Sequence, residues 1–293
     1  MERYDAVAAN ETLEEARARN VRDALREDIG TGDWTARLVP DGPAHARVTV
    51  REDAVLCGCA WFEACVLALD PAATVRWAYA EGDDMAAGTA VCDVRGSARA
   101  LLSAERPALN FLQLLSGTAT AARRHARAIE GASPNPRGCL VLDTRKTVPG
   151  LRLAQKHAVR VGGGGNQRLA LWDGVLIKEN HITAAGGIAE ALQAAAALVA
   201  GADVPIQIEV ERLDQLGEAL DAGAASILLD NFTLADLREA VRRTAGRALL
   251  EASGGVELDG LRELAATGVD RISVGALTKH VRAVDYSMRM LEG

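Results

Sequence analysis

The sequence predicts an α/β protein in two parts, an α+β sandwich followed by a run of strand–helix repeats, and three observations predict it. The chain has 293 residues, more than one small core organises and enough for a barrel with an additional domain. Strands before Gly117 alternate apolar with polar residues, the mark of an antiparallel sheet with one wet face. From Cys139 onward the apolar runs are short and nearly continuous, as in parallel strands buried on both faces.

In the first part the strands are HARVTV (His45 to Val50), ATVRWAY and TAVCDV. Leu13 to Arg26, Ala60 to Leu69 and Ala98 to Leu115 repeat apolar residues at three- and four-residue spacing, so as helices they can cover one face of that sheet. Gly131 to Gly138, with two prolines and two glycines, is the loop feeding the second part. There the strands are CLVLD, GVLIK, IQIEV, SILLD, ALLEAS and RISVG. Helical stretches from Ile188 to Ala200, Leu213 to Ala222, Leu234 to Thr244 and Leu258 to Ala266 alternate with them. Such alternation fits a βα-barrel or a doubly wound sheet.

Composition narrows the functional classes. With 49% apolar and 25% charged residues, the chain can bury a core without disulfides. Five cysteines, an odd number, read as reduced thiols; Cys57 and Cys59 bracket one glycine with no nearby Cys or His pair to complete a zinc site. A net charge of −7 argues against wholesale binding of nucleic acid or anionic membrane. The first twenty residues lack the apolar stretch of a signal peptide, and the blandest run, Ala194 to Ala200, is too short to cross a bilayer. A cytoplasmic location is the expectation.

The carboxyl ends of the apolar runs carry the chemistry. Arg145 and Lys146 follow CLVLD, Lys178 ends GVLIK, Glu209 and Glu211 end or follow IQIEV, and Asp230 ends SILLD. Ser253, Gly254 and Gly255 follow ALLEA, and Gly275 follows RISV. In a barrel these ends converge on one mouth, where active sites of that architecture are built. Between Asp143 and Asn180 seven Lys or Arg stand against three acids, 7 − 3 = +4, in a chain of net charge −7. That concentration suits a multiply charged anion, with Arg forking onto carboxylates and Lys supplying point charge to phosphates. Arg152, Lys156 and Arg160 read instead as a solvated helix face. Glu209 and Asp230, on strands separated by one helix, are hard-oxygen ligands suited to Mg2+ beside phosphates, or else ion-pair partners of Lys178 and Lys146. Gly162 to Gly165 has no GK[ST] after it, so it is a hinge rather than a phosphate loop.

Taken together, the motifs resemble the quinolinate phosphoribosyltransferases. The matching segments are REDIGTGDWT from Arg26, VLCG from Val55, SAERPALNFLQLLSGTAT from Ser103, LDTRKTVPGLR from Leu142 and VGGGGNQR from Val161. LIKENH from Leu176, IEVE from Ile208, LLDNF from Leu228, EASGG from Glu251 and ISVGALT from Ile272 complete the set. The resemblance implies an amino-terminal open α/β sandwich over residues 1–116 and a seven-stranded α/β barrel over 117–275. A carboxy-terminal helix, 276–293, would pack back on the sandwich. It also implies a homodimer with shared active sites.

By the same resemblance Arg145, Gln167, Arg168 and Lys178 hold the quinolinate carboxylates, and Arg106 reaches in from the neighbouring subunit. Lys146 faces phosphates, and Lys178 serves both substrates. Glu209 and Asp230 engage ribose hydroxyls and magnesium pyrophosphate, while Ser253, Gly254, Gly255, Gly275 and Ala276 cradle the 5′-phosphate. Lys146, Lys178, Glu209 and Asp230 are thus the implied catalytic set, Mg2+ the implied cofactor, and quinolinate and phosphoribosyl pyrophosphate the implied substrates. One departure stands out, because the family often reads NHR where this chain has Asn166-Gln167-Arg168. A glutamine carries neither charge nor proton, which keeps open a relative acting on another aromatic acid. Two rivals stay open: a Schiff-base aldolase, which needs Lys146 or Lys178 in an apolar setting and against which the adjacent arginines argue, and a silent phosphosugar-binding protein, which would bind phosphoribosyl pyrophosphate yet release no pyrophosphate with any pyridine acid.

Overall fold

The structure, a computed structural model, describes residues 10–291. Their contacts group into two units. The first unit runs up to Thr120 and adds Val148–Val161 and the residues from Val281 on; the second holds Ala121–Thr147 and Gly162–His280. This grouping by contacts is discontinuous, with Val148–Val161 and the residues from Val281 on joining the first unit across the expected division at 116/117.

The first unit opens with α1 (Leu13–Ile29), started by a capping box in which Thr12 and Glu15 satisfy each other's backbone N–H groups. The strands are β1 (Pro43–Val50), β2 (Ala54–Val55), β3 (Thr74–Trp77), β4 (Asp84–Met85) and β5 (Ala90–Ser97), with α2 (Cys59–Leu69) after β2 and β12 (Tyr286–Met290) near the carboxy terminus. A four-stranded antiparallel sheet has the order β12-β1-β5-β3. Alternation along β1 buries Ala46, Val48 and Val50, which join Trp61, Phe62 and Cys65 of α2 in one core. The second helix of that core, α3 (Ala98–Ala128), runs past the expected end at Leu115. Its polar turn survives because the hydroxyls of Thr118 and Thr120 donate to the carbonyls four residues back, Leu114 and Ser116, at 3.1 and 2.7 Å. Gly117 lets the Arg282 carbonyl approach that turn, a place a Cβ would fill.

Two expectations are corrected in this unit. The carboxy-terminal segment is not a helix over 276–293: only α10 (Ala276–Lys279) is helical, and β12 pairs antiparallel with β1 from Val50↔Tyr286 to Ala46↔Met290. Residues 292 and 293 lie outside the described set. The physical reason is alternation: Tyr286 turns inward, with its hydroxyl donating to Ser116 Oγ at 2.8 Å, and its strand supplies the partner that the edge of β1 requires. Similarly, α4 (Arg152–Val161) packs against α1, and Lys156 is buried on it rather than solvated.

In the second unit β6 (Leu140–Leu142), β7 (Val175–Ile177), β8 (Ile206–Val210), β9 (Ser226–Asp230), β10 (Leu249–Ser253) and β11 (Arg271–Ser273) form one parallel sheet of order β6-β11-β10-β9-β8-β7. Helices α5 (Glu179–Ala185), α6 (Ile188–Leu198), α7 (Leu213–Asp221), α8 (Leu234–Thr244) and α9 (Leu261–Ala265) alternate with them, as in an α/β barrel. Six strands stand in the ladder where the family fold implies seven, and the remaining position is a single parallel bridge, Leu142↔Gly165. Glycine is required there, since a Cβ on Gly165 would lie 2.6 Å from Leu140 Cδ2 and 2.8 Å from Leu142 Cδ2. A run of four glycines has too little side chain to sustain a longer strand. Among the described residues no helix is long and apolar enough to cross a membrane.

Candidate active site

Parallel strands place the residues at their carboxyl ends on one side of the sheet. A cavity of about 170 Å3 there is lined by Arg145, Gln167, Arg168, Lys178, Glu209 and Ser253, with Thr144, Leu176, Leu228, Glu251 and Ser273. Hollows of about 570 Å3 at the amino ends of the strands and about 730 Å3 in the first unit are larger. Charge rather than size selects the smaller cavity, because two arginines, a lysine and two glutamates converge on it.

The guanidinium groups are its most demanding feature. The Nε atoms of Arg145 and Arg168 are buried without a hydrogen-bond partner among the described residues. Arg168 is anchored by a bond from a terminal nitrogen to the Gly174 carbonyl at 2.9 Å. Burial, and then the neighbouring charge of Arg145, lower its affinity for its proton. Two cations held side by side with unpaired N–H groups are poised for an anion.

On the adjacent strand ends Lys178 Nζ sits 3.0 Å from Glu209 Oε2. Burial raises the Asp230 carboxyl, the charge of Glu209 raises it further, and Lys178 and Lys146 pull it back. These four groups therefore share one electrostatic field. Lys146 lies across Gly275, where an added Cβ would meet its Cδ at 3.2 Å. Asp230 is opposite Ser253 in the β9–β10 register. Gly254 and Gly255 follow with φ of +104° and +54°, conformations that side chains resist. Ala276 opens α10 directly after Gly275. Arg145, Lys146, Gln167, Arg168, Lys178, Glu209, Asp230, Ser253, Gly254, Gly255, Gly275 and Ala276 thus all belong to the second unit. Arg106 belongs to the first, exposed on α3 and paired with its neighbour Glu105 at 2.7 Å.

Several residues that hold the site's side chains in place escaped sequence reasoning. Gln167 Nε2 donates to Gln207 Oε1 at 3.1 Å, and Gln207 Nε2 donates to Glu251 Oε2 at 2.8 Å, a chain that orients the Gln167 amide. Burial raises the Glu251 carboxyl more than the hydrogen bond from Gln207 lowers it. Asp143, fully buried, accepts from the Gln167 backbone N–H at 3.1 Å and from Asn166 Nδ2 at 2.5 Å, which holds the strand-end segment in place. Asn231 adopts φ +57° and donates from Nδ2 to Asp230 Oδ2 at 2.9 Å. The available signal was a polar residue inside an apolar run, Gln207 in IQIEV and Glu251 in ALLEA, where a strand buried on both faces has no reason for one.

The chain matches two family descriptions: quinolinate phosphoribosyl transferase, N-terminal domain, over residues 33–116, and C-terminal domain, over residues 118–289. It is 39% identical over 263 residues to a probable nicotinate-nucleotide pyrophosphorylase (carboxylating) of Bacillus subtilis, covering 89% of each chain. To the nicotinate-nucleotide pyrophosphorylase (carboxylating) of Mycobacterium leprae it is 40% identical over 279 residues, covering 92% of this chain and 95% of that one. The solved nicotinate-nucleotide pyrophosphorylase of Francisella tularensis superimposes with a TM-score of 0.90 at 41% identity, over 97% of this chain and all of that one. Across both domains, then, this chain belongs to the quinolinate phosphoribosyltransferase family, decarboxylating pentosyltransferases of NAD biosynthesis.

Proposed function

We propose that the cavity at the carboxyl ends of the second unit's strands carries the family reaction, joining the nitrogen of quinolinate to the ribose of phosphoribosyl pyrophosphate with loss of pyrophosphate and CO2. The observation that carries the reading is that Arg145 and Arg168 line one small cavity together, each with its Nε–H buried and without a partner among the described residues. A dicarboxylate answers both, while a single carboxylate leaves one buried donor unsatisfied. Gln167 directs its amide at the same ring, and Lys178 is shared between the ring carboxylates and the phosphates.

The sugar phosphate lies over β8–β11 in this reading. Ser253, Gly254, Gly255, Gly275 and Ala276 cradle the 5′-phosphate where backbone comes close without side chains, and Lys146 and Lys178 offset the charge of departing pyrophosphate. Glu209 and Asp230 hold the ribose hydroxyls. They also fit Mg2+: they are neighbouring hard-oxygen donors, Asp230 being raised first by burial and then by the charge of Glu209, and a dication relieves that repulsion. When bound there, Mg2+ supplies charge neutralisation for the pyrophosphate. The residues themselves orient the ring nitrogen in line with the ribose carbon and exclude water from the oxocarbenium-like ribose, catalysis by position and charge rather than proton transfer. Once the nitrogen is ribosylated its positive charge stabilises the electron pair left on the ring carbon as CO2 departs, and that carbon then takes a proton from solvent, so no dedicated acid is required.

The assembly in this reading is a homodimer in which Arg106 completes the partner's site. Its 60% exposed side chain, bound to Glu105, is available for that role. The test is to incubate the protein with quinolinate, nicotinate or nicotinamide, each with phosphoribosyl pyrophosphate and Mg2+, and to identify products by mass. Nicotinate mononucleotide and CO2 from quinolinate alone are expected. Turnover of nicotinate but not quinolinate overturns the substrate assignment.

A further inference from the structure

Cys57, Glu81 and His157 come from three separate stretches of the first unit, yet one ligand atom from each lies within 4.8 Å of the other two. Each is held by its own element. Cys57 precedes α2, its backbone N–H donating to Ser116 Oγ and its carbonyl accepting from the same hydroxyl, both at 3.0 Å. Glu81, beyond β3, turns its two carboxylate oxygens to the N–H groups of Gly58 and Cys59 at 3.0 Å each, capping α2. His157 projects from α4 with Nε2 3.3 Å from Glu81 Oε1, and its ring lies 5.7 Å from that of Trp61, inclined at 39°.

We propose that Cys57, Glu81 and His157 form a binding site for one divalent transition ion of the zinc type, with thiolate, carboxylate and neutral imidazole as three corners of a tetrahedron and solvent as the fourth. Bonds of about 2.0–2.3 Å to such an ion separate its ligands by roughly 3.3–3.8 Å. The His157–Glu81 distance of 3.3 Å already equals one such edge, and the other separations close to this range with movements of about an ångström.

Charge supports the exchange of proton for metal. The thiol of Cys57 and the imidazole of His157 both lie against the same carboxylate. On binding, the thiol proton leaves to solvent and the imidazole binds as a neutral ring, so that one thiolate, one carboxylate and one dication sum to zero. A neutral set minimises the cost of burying ions. Bonds from His157, Cys59 and the α2 backbone overcome burial and hold Glu81 ionised, down to about 2. The way in is from the His157 and Glu81 side, where the side chains are 24% and 30% exposed, since Cys57 is fully covered. A Cys, a His and a carboxylate also compose a nucleophilic trio in other settings, but here burial, and then the charge of Glu81, push the Cys57 thiol well up, the reverse of an activated nucleophile. The soft sulfur donor separates this site from Mg2+, which takes oxygen ligands.

The experiment uses the full-length protein, stripped with chelator and titrated with Co2+ in excess Mg2+, so that hard-oxygen sites stay filled. The expected result is one Co2+ per chain with a sulfur-to-cobalt charge-transfer band and four-coordinate visible bands, displaced by Zn2+. Cys57→Ser removes the sulfur band, and His157→Gln, at a partly exposed position that tolerates the change, weakens Co2+ binding roughly tenfold or more. The proposal is overturned if the wild-type protein shows no sulfur-to-cobalt band, or if the band and its affinity persist in His157→Gln.

Discussion

Replacing Arg145 by Met separates ligand recognition from folding, because methionine keeps most of the length of the aliphatic stem while removing the guanidinium. In the free protein the Nε–H of Arg145 is buried without a partner among the described residues. A buried unpaired donor costs about 1–3 kcal/mol, so its removal leaves stability unchanged or raises it. Arg168 also loses a like-charged neighbour, the charge that lowers its proton affinity after burial itself. For the dicarboxylate the sign reverses. A charge-assisted hydrogen bond is worth about 1.5–3 kcal/mol, which converts to roughly 10- to 150-fold weaker binding. Calorimetric titration with quinolinate, together with urea unfolding of the same sample, reads both quantities. Phosphoribosyl pyrophosphate affinity should change far less. Unchanged quinolinate affinity refutes the assignment of Arg145, and a loss of stability matching the loss of affinity assigns it to the fold instead.

Three further outcomes follow from the same geometry. Glu209→Gln combined with Asp230→Asn should lower turnover and raise the Mg2+ concentration required while the fold survives; a stable double variant with the original magnesium dependence marks these carboxylates as ion-pair partners only. Burial raises the Glu251 carboxyl against the opposing bond from Gln207, so the native state holds that proton more tightly than the unfolded chain. Stability from this group is present below the unfolded carboxylate value and is lost as pH rises through the folded one. Glu251→Gln, whose carbonyl can still accept from Gln207, should remove that decline, and urea midpoints across the acidic-to-neutral range that keep the wild-type slope count against it. Finally, inactive Arg106→Ala and Lys178→Ala homodimers, refolded together in equal amounts, should pair so that about half the dimers are mixed, each with one intact site, and recover about one quarter of wild-type activity. No recovery, with mixed dimers seen by mass spectrometry, excludes a shared site.

What the sequence determined by itself was local and periodic. Continuous apolar runs such as SILLD and IQIEV marked buried parallel strands, and the charged residue ending each run marked the mouth, because strand direction is repeated from unit to unit and needs no long-range information. The placing of Arg145, Lys178, Glu209 and Asp230 at or just after the carboxyl ends of strands was legible for that reason. Only tertiary structure decided the partners. YSMRM became a strand because the edge of β1 lies beside it, an alternation too short to outweigh an expected helix. Lys156 went inside because α4 packs on α1. Gln207 and Glu251, 44 residues apart, met because β8 and β10, with β9 between them, turn side chains into the same interior layer. Cys57 lacked a zinc-like neighbour in the sequence, yet Glu81 and His157, themselves 76 residues apart, stand next to it in space. Pairings at such separations are set by the closing of the chain on its core, and neither propensity nor spacing within a local window records which side chains that closure brings into contact.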